Sequence, residues 1–120
     1  MNPVEQLERE TRLWHIDHAV CMVLEFLAGR SYEEYASNEL VRAAVERQLI
    51  IVGEALRRAL QVDPTIAMHV SDVPQIIACR NFLVHQYPEI DAERIWHIIQ
   101  VKLPILLTEV RALLAGEIPA

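Results

Sequence analysis

Apolar residues recur three and four positions apart along almost the whole chain, and the breaks between these runs fall on Gly29, Asp63-Pro64, Pro88 and Gly116. Spacing of three and four lines up side chains on one stripe of an α-helix, whereas a half-buried strand needs strict alternation. Strand-like alternation is scarce here, and the chain holds only three glycines. The pattern therefore restricts the fold to packed helices. It predicts a first helix over residues 4–28, with Leu7, Trp14, Ala19, Val20, Val23, Leu24 and Leu27 as its stripe and Gly29 as its stop. Ser31-Tyr32-Glu33-Glu34 fits a capping box and predicts a short helical turn ending near Ser37. A second long helix is expected over 38–61, with Val41, Val45, Leu49, Val52, Leu56 and Leu60 facing inward. A connecting stretch over 65–70 leads to a third helix, capped by Ser71 or Asp72, that runs to about His85 and cannot continue through Pro88. Asp91 caps a fourth over 92–114, its stripe Ile95, Ile98, Ile99, Leu103, Leu106, Val110 and Leu113, with a kink expected at Pro104. Four main helices with short connections form a helical bundle.

Composition narrows the function. A chain of 120 residues is enough for one domain, taken here as residues 1–120. A monomer of this size buries about two thirds of its unfolded surface. With 52% hydrophobic residues and a positive mean hydropathy, part of the apolar surface is expected to lie in a subunit interface. The start of the chain is polar and acidic and lacks the apolar core of a secretory signal. The most apolar stretch, residues 95–107, is broken by His97, Gln100, Lys102 and Pro104, so no membrane span is expected. Cys21 and Cys79 read as two free thiols of a cytoplasmic protein. The net charge of −6 argues against general, sequence-independent nucleic-acid binding but leaves room for a nuclease with a local basic pocket. Eleven side chains are cationic and only Lys102 is a lysine; arginine's flat fork suits phosphate.

The segment Arg80-Asn81-Phe82-Leu83-Val84-His85-Gln86-Tyr87 carries the most chemistry. A histidine can take a proton from a ribose 2′-hydroxyl or give one to a leaving oxygen. An arginine can hold the scissile phosphate and stabilise the charge that develops on it. Together they suffice for RNA cleavage without a metal, yielding a 2′,3′-cyclic phosphate, and DNA lacks the hydroxyl that this route needs. At about 100° per residue, His85 lies roughly 140° around the helix from Arg80 and about 7.5 Å along it. One clean face does not hold both, so either the helix end distorts or a two-fold dimer brings two copies of the segment together. Spacing alone also fits a surface arginine followed by a helix-terminal histidine.

Other candidates carry a bland reading beside the functional one. Glu54, inside the apolar second helix, either orients Arg80 or His85 in a cleft or simply pairs with an arginine. Gly53 beside it costs about 1 kcal/mol of helix stability relative to alanine, which suggests close helix approach, within the chain or across a dimer. His15 and His18 lack a third metal ligand at suitable spacing and read as a solvent-facing pair. His97 reads as interfacial or core packing, Trp14 and Trp96 as core anchors, and Arg57-Arg58 as a solvated face that could touch RNA.

The motif Arg80-x4-His85-x-Tyr87 resembles the signature of HEPN domains and, more narrowly, of the HepT toxin family. The resemblance extends along the chain in order. Ser31-Tyr32-Glu33-Glu34-Tyr35 resembles the family's turn before its second-helix block. Ala44-Val45-Glu46-Arg47-Gln48-Leu49-Ile50-Ile51-Val52-Gly53-Glu54-Ala55 resembles the block itself. Residues 91–96 with Leu103-Pro104-Ile105-Leu106 resemble its tail. Cys79 stands where an apolar residue is expected, and Ser71-Asp72-Val73-Pro74 replaces a lead-in containing tryptophan. The resemblance implies an all-α HEPN-type antiparallel bundle of four main helices plus short turns. It implies a homodimeric ribonuclease, the toxin of a type VII toxin–antitoxin pair, with Arg80 and His85 catalytic and Asn81 supporting the cleft, beside Glu54 in the cleft-facing reading given above. It implies no cofactor or metal. Its partner would be an MntA-like nucleotidyltransferase antitoxin that transfers AMP from ATP to Tyr87. The alternative is a catalytically silent module that docks such a nucleotidyltransferase.

Overall fold

A computed structural model describes residues 1–85 and 91–116, and every described element is helical. Helix α1 spans Pro3–Leu27, α2 Tyr32–Ser37, α3 Glu39–Val62, α4 Val73–Val84, α5 Ala92–His97 and α6 Leu103–Ala115. A 3₁₀ turn, Pro64–Met68, links α3 to α4, and a π turn, Ile98–Lys102, joins α5 to α6. Because α5, the π turn and α6 follow one another without a break, the architecture is the expected four main helices plus short turns. The stop expected at Pro88 lies outside the described residues.

Local chemistry accounts for the boundaries. Asn2 caps α1 by accepting from the Glu5 N–H at 2.8 Å, while the Glu5 carboxylate accepts from the Asn2 N–H. The Ser31–Glu34 box caps α2 in the same reciprocal way. Asn38 caps α3 through the Val41 N–H, and Asp91 caps α5 through the N–H groups of Glu93 and Arg94. Gly29 and Gly116 adopt the positive φ of 75° and 70° that ends α1 and α6. The π turn directly precedes Pro104, the position where a kink is expected. A proline there lacks an N–H and its ring crowds the carbonyl four residues back, that of Gln100. The chain widens instead, and the Leu103 N–H donates to the Ile98 carbonyl five residues back.

The largest share of the core comes from stripes on α1, α3 and α6. Val45, Leu49, Val52, Leu56 and Ala59 of α3 are buried at alternating spacings of four and three. Ile99 of the π turn continues into Leu103, Leu106, Val110 and Leu113 of α6 with the same rhythm. In α1 the buried set is Leu13, Ile16, Ala19, Val20, Val23 and Leu27, while Leu7 and Leu24 are exposed and Trp14 is 56% exposed. Trp14 is therefore not a core anchor. Its ring stacks on His18 one helical turn away, with centroids 5.1 Å apart. Helix α1 carries two apolar stripes, and only one can face α3. The ion pair of Arg9 near the start of α1 with Asp63 just past the end of α3, at 2.8 Å, fixes these two helices as antiparallel.

Trp96 is half-buried and packs against Tyr32 and Tyr35, the latter fully buried. His97 is exposed and not part of the core. No helix among the described residues is long and apolar enough to cross a membrane.

Candidate active site

The start of α4 is fastened to the last helix. The Ser71 hydroxyl donates to the Glu109 carboxylate at 2.6 Å and its N–H at 3.1 Å. Asp72 occupies the N-cap position but gives its carboxylate to Lys102 at 3.2 Å instead of capping the helix. These polar contacts stand where the resemblance led one to expect a tryptophan. From there Ile76, Cys79 and Leu83, three and four apart, point α4 into the core. Cys79 behaves as an apolar residue: burial pushes its thiol up to about 11.

That register turns Arg80 toward α3, where the backbone is bare. A Cβ added at Gly53 would overlap the Cβ of Arg80, lie 2.8 Å from its Cγ and 3.4 Å from the Ile76 carbonyl oxygen. The close approach foreshadowed by Gly53 is thus made within the chain, and made by Arg80 itself. The stem of Arg80 lies on the glycine, and the guanidinium reaches the neighbouring residue. Its Nη2 meets Glu54 Oε2 at 2.6 Å, and its Nη1 donates to Asn81 Oδ1 at 3.0 Å. Its Nε–H is buried without a hydrogen-bond partner among the described residues. A guanidinium carries five N–H donors. With two engaged and Nε closed off, two N–H groups on the outer nitrogens remain for a ligand.

Glu54 is a junction. Its Oε1 also accepts from Arg57 at 2.8 Å and Arg58 at 3.3 Å. The Arg57 hydrogen bond, with the positive charge of Arg80 behind it, holds the carboxyl below its ordinary range against the opposing pull of desolvation. Both readings of Glu54 therefore apply to one side chain: it pairs with arginines, and one of them is Arg80.

His85 ends α4. Its N–H donates to the Asn81 carbonyl, its backbone leaves the helical region (φ −99°, ψ 27°), and its side chain is exposed. No hydrogen bond joins the His85 side chain to Arg80, Asn81 or Glu54 among the described residues. The structure thus joins Arg80, Asn81 and Glu54 by side-chain contacts and places His85 exposed at the end of the same helix. Tyr87 lies outside the described residues.

Sequence reasoning missed a second group of cations beside this one. A pocket of about 260 Å³ between α1 and α3 is lined by Arg12, His15, Arg47 and Arg58 with Glu54, over an apolar floor of Ile50, Ile51 and Ala55. Helical spacing puts Arg47, Glu54 and Arg58 on one face of α3 and Arg12 with His15 on one face of α1, and the docking of α1 on α3 is what brings the two faces together. Among the described residues no group of three or more His, Cys, Asp or Glu side chains is placed to hold a metal ion.

Comparison with known proteins bears on most of the chain. The family model described as "Ribonuclease HepT-like" matches residues 16–113. A protein of Methanocaldococcus jannaschii named "Putative RNase MJ1380" is 33% identical over 90 residues, covering 73% of this chain and 80% of the relative. A second from the same organism, "Putative RNase MJ1216", is 26% identical over 72% of this chain and 71% of the relative. "Putative RNase TTE0752" of Caldanaerobacter subterraneus is 28% identical over 88% of this chain and 93% of its own length. No solved structure matches the chain significantly.

Proposed function

The chain belongs to the HepT-like ribonuclease family, and we propose that it is the toxin of a type VII toxin–antitoxin pair, a metal-independent RNA endonuclease acting as a homodimer. The observation that carries this reading is the seating of Arg80 on Gly53, held by Glu54 and Asn81, with the exposed His85 further along the same helix. In the proposed reaction the scissile phosphate is bound by the free N–H groups of Arg80. The ribose 2′-oxygen attacks phosphorus as its proton passes to a base, and the 5′-oxygen leaves with a proton from an acid. In this reading His85, supplied by the second subunit, fills one of these proton-transfer roles and water the other. Arg80 offsets the charge that builds on the phosphoryl oxygens. Five residues apart on a helix, Arg80 and His85 of one chain point about 140° apart, so a cleft shared across a two-fold axis is the economical way to join them.

The family resemblance supplies the regulation: an MntA-like nucleotidyltransferase antitoxin transfers AMP from ATP to the Tyr87 hydroxyl, with pyrophosphate leaving. An adenylyl group two residues from His85 adds bulk and negative charge, which would compete with RNA phosphate for Arg80.

The direct test is incubation of purified protein with single-stranded RNA in the presence of a chelator. Fragments ending in a 2′,3′-cyclic phosphate are expected, with the all-2′-deoxy oligonucleotide left intact. Loss of general acid–base catalysis in His85→Ala should slow cleavage by about 10²- to 10⁴-fold; undiminished cleavage by that variant removes His85 from the mechanism. Failure to cut any RNA would favour the silent docking module, a reading to which the net charge of −6 lends some support.

A further inference from the structure

The pocket between α1 and α3 differs in character from the rest of this acidic molecule. Three arginines line it, Arg12, Arg47 and Arg58, together with His15. Its one acidic lining residue, Glu54, is already engaged by Arg57, Arg58 and Arg80. Arg47 is exposed and makes no ion pair among the described residues. The floor of Ile50, Ile51 and Ala55 is apolar. An arginine rim over an apolar floor matches the two halves of a nucleotide unit, a phosphate outside and a ribose or base face within. The pocket also connects to Arg80, because Arg58 and Arg80 grip opposite oxygens of the same Glu54 carboxylate.

We propose that this α1–α3 pocket is a second phosphate site for the RNA strand, holding a phosphate that neighbours the scissile one at Arg80. The proposal rests on the ribonuclease reading and extends it to substrate binding. It explains how a chain of net charge −6 engages a polyanion: Arg57, Arg58 and Arg80 converge on the single carboxylate of Glu54, and Arg12, paired with Glu8, and Arg47 line the pocket beside it. It also predicts that affinity depends on the strand beyond the cleaved linkage.

The test uses the whole protein and a single-stranded 2′-O-methyl RNA 12-mer, which lacks the internal nucleophile and is not consumed. Fluorescence anisotropy gives Kd across a salt series. Arg47→Gln and Arg12→Gln should each weaken binding by about tenfold and reduce the steepness of the salt dependence by about 0.7, the share of one phosphate on a single strand. Arg30→Gln, the same loss of charge at the far end of α1, should leave both values unchanged. The proposal is overturned if Arg47→Gln and Arg12→Gln bind like the wild type, or if Arg30→Gln weakens binding equally. If the wild type cleaves RNA while these variants bind normally, the second phosphate site alone has failed. If the wild type neither binds nor cleaves RNA, the ribonuclease reading has failed and the site falls with it.

Discussion

At the scale of single residues, Gly53 is where stability and chemistry meet. Replacing it with alanine should gain about 1 kcal/mol of helix propensity. The new Cβ, however, meets the Cβ of Arg80, which is fixed to the backbone of α4 and cannot swing aside. Overpacking of that kind costs about 1–3 kcal/mol. Gly53→Ala should therefore lose roughly 1 kcal/mol in a denaturant melt and lose most of its RNA cleavage, because α4 must move away from Glu54. A melt as stable as wild type with full cleavage would show that the approach is slack. Tyr35 offers the opposite case. It is fully buried, its hydroxyl has no partner among the described residues, and burial raises its pKa well above the ordinary tyrosine value. Tyr35→Phe should be neutral or stabilising by up to about 1 kcal/mol, since it removes a desolvated group and keeps the ring against Trp96. The sequence announced Gly53 as costly in a helix but not what lay against it. The lone Arg80-to-His85 spacing likewise could not say that Arg80 turns to α3 while His85 stays outside.

At the scale of elements, two capping boxes of the same design should differ in worth. Ser31 opens α2, a short helix that carries the buried Tyr35 and so cannot unwind without opening the core. Asn2 opens α1, whose first turns are largely exposed and can fray locally. Ser31→Ala should cost about 1 kcal/mol by thermal melting and Asn2→Ala a few tenths; equal costs would contradict this account. Elements were readable in proportion to how singly they were patterned. Helices α3 and α6 each bear one stripe, and that stripe is the one they bury. Helix α1 bears two, and the choice between them is made by tertiary packing, which left Trp14 in solvent. At Pro104, where a kink is expected, a π turn stands directly before the proline, and the rhythm of Ile99, Leu103 and Leu106 carries the buried stripe through it.

At the scale of the whole molecule, charge governs the response to acid. Asp17, held mainly by the Arg111 hydrogen bond, Asp63, held mainly by the Thr65 hydroxyl and then Arg9, and Glu54 all have carboxyls below their ordinary values of 3.8, 3.8 and 4.5. A depressed folded-state pKa contributes stability that is present above the unfolded value and lost as pH falls through the folded one. Glu46, raised by burial, acts in the opposite sense, because its protonation favours the folded state. With three groups against one, Tm should hold from neutral pH down to those ordinary values and then fall. Asp63→Asn should make the acid limb shallower, and a Tm that rises on acidification would contradict the sign. The same distribution of charge gathers Arg12, Arg47 and Arg58 at the α1–α3 pocket, the proposed seat of the RNA strand. The most direct measurement of the central claim is subunit complementation. Arg80→Ala and His85→Ala proteins, each inactive alone, are mixed, allowed to exchange subunits and assayed on single-stranded RNA. If each site takes Arg80 from one subunit and His85 from the other, the mixed dimer keeps one intact site, and about a quarter of wild-type cleavage should return. No recovery, with subunit exchange verified, would contradict a cleft shared in this way.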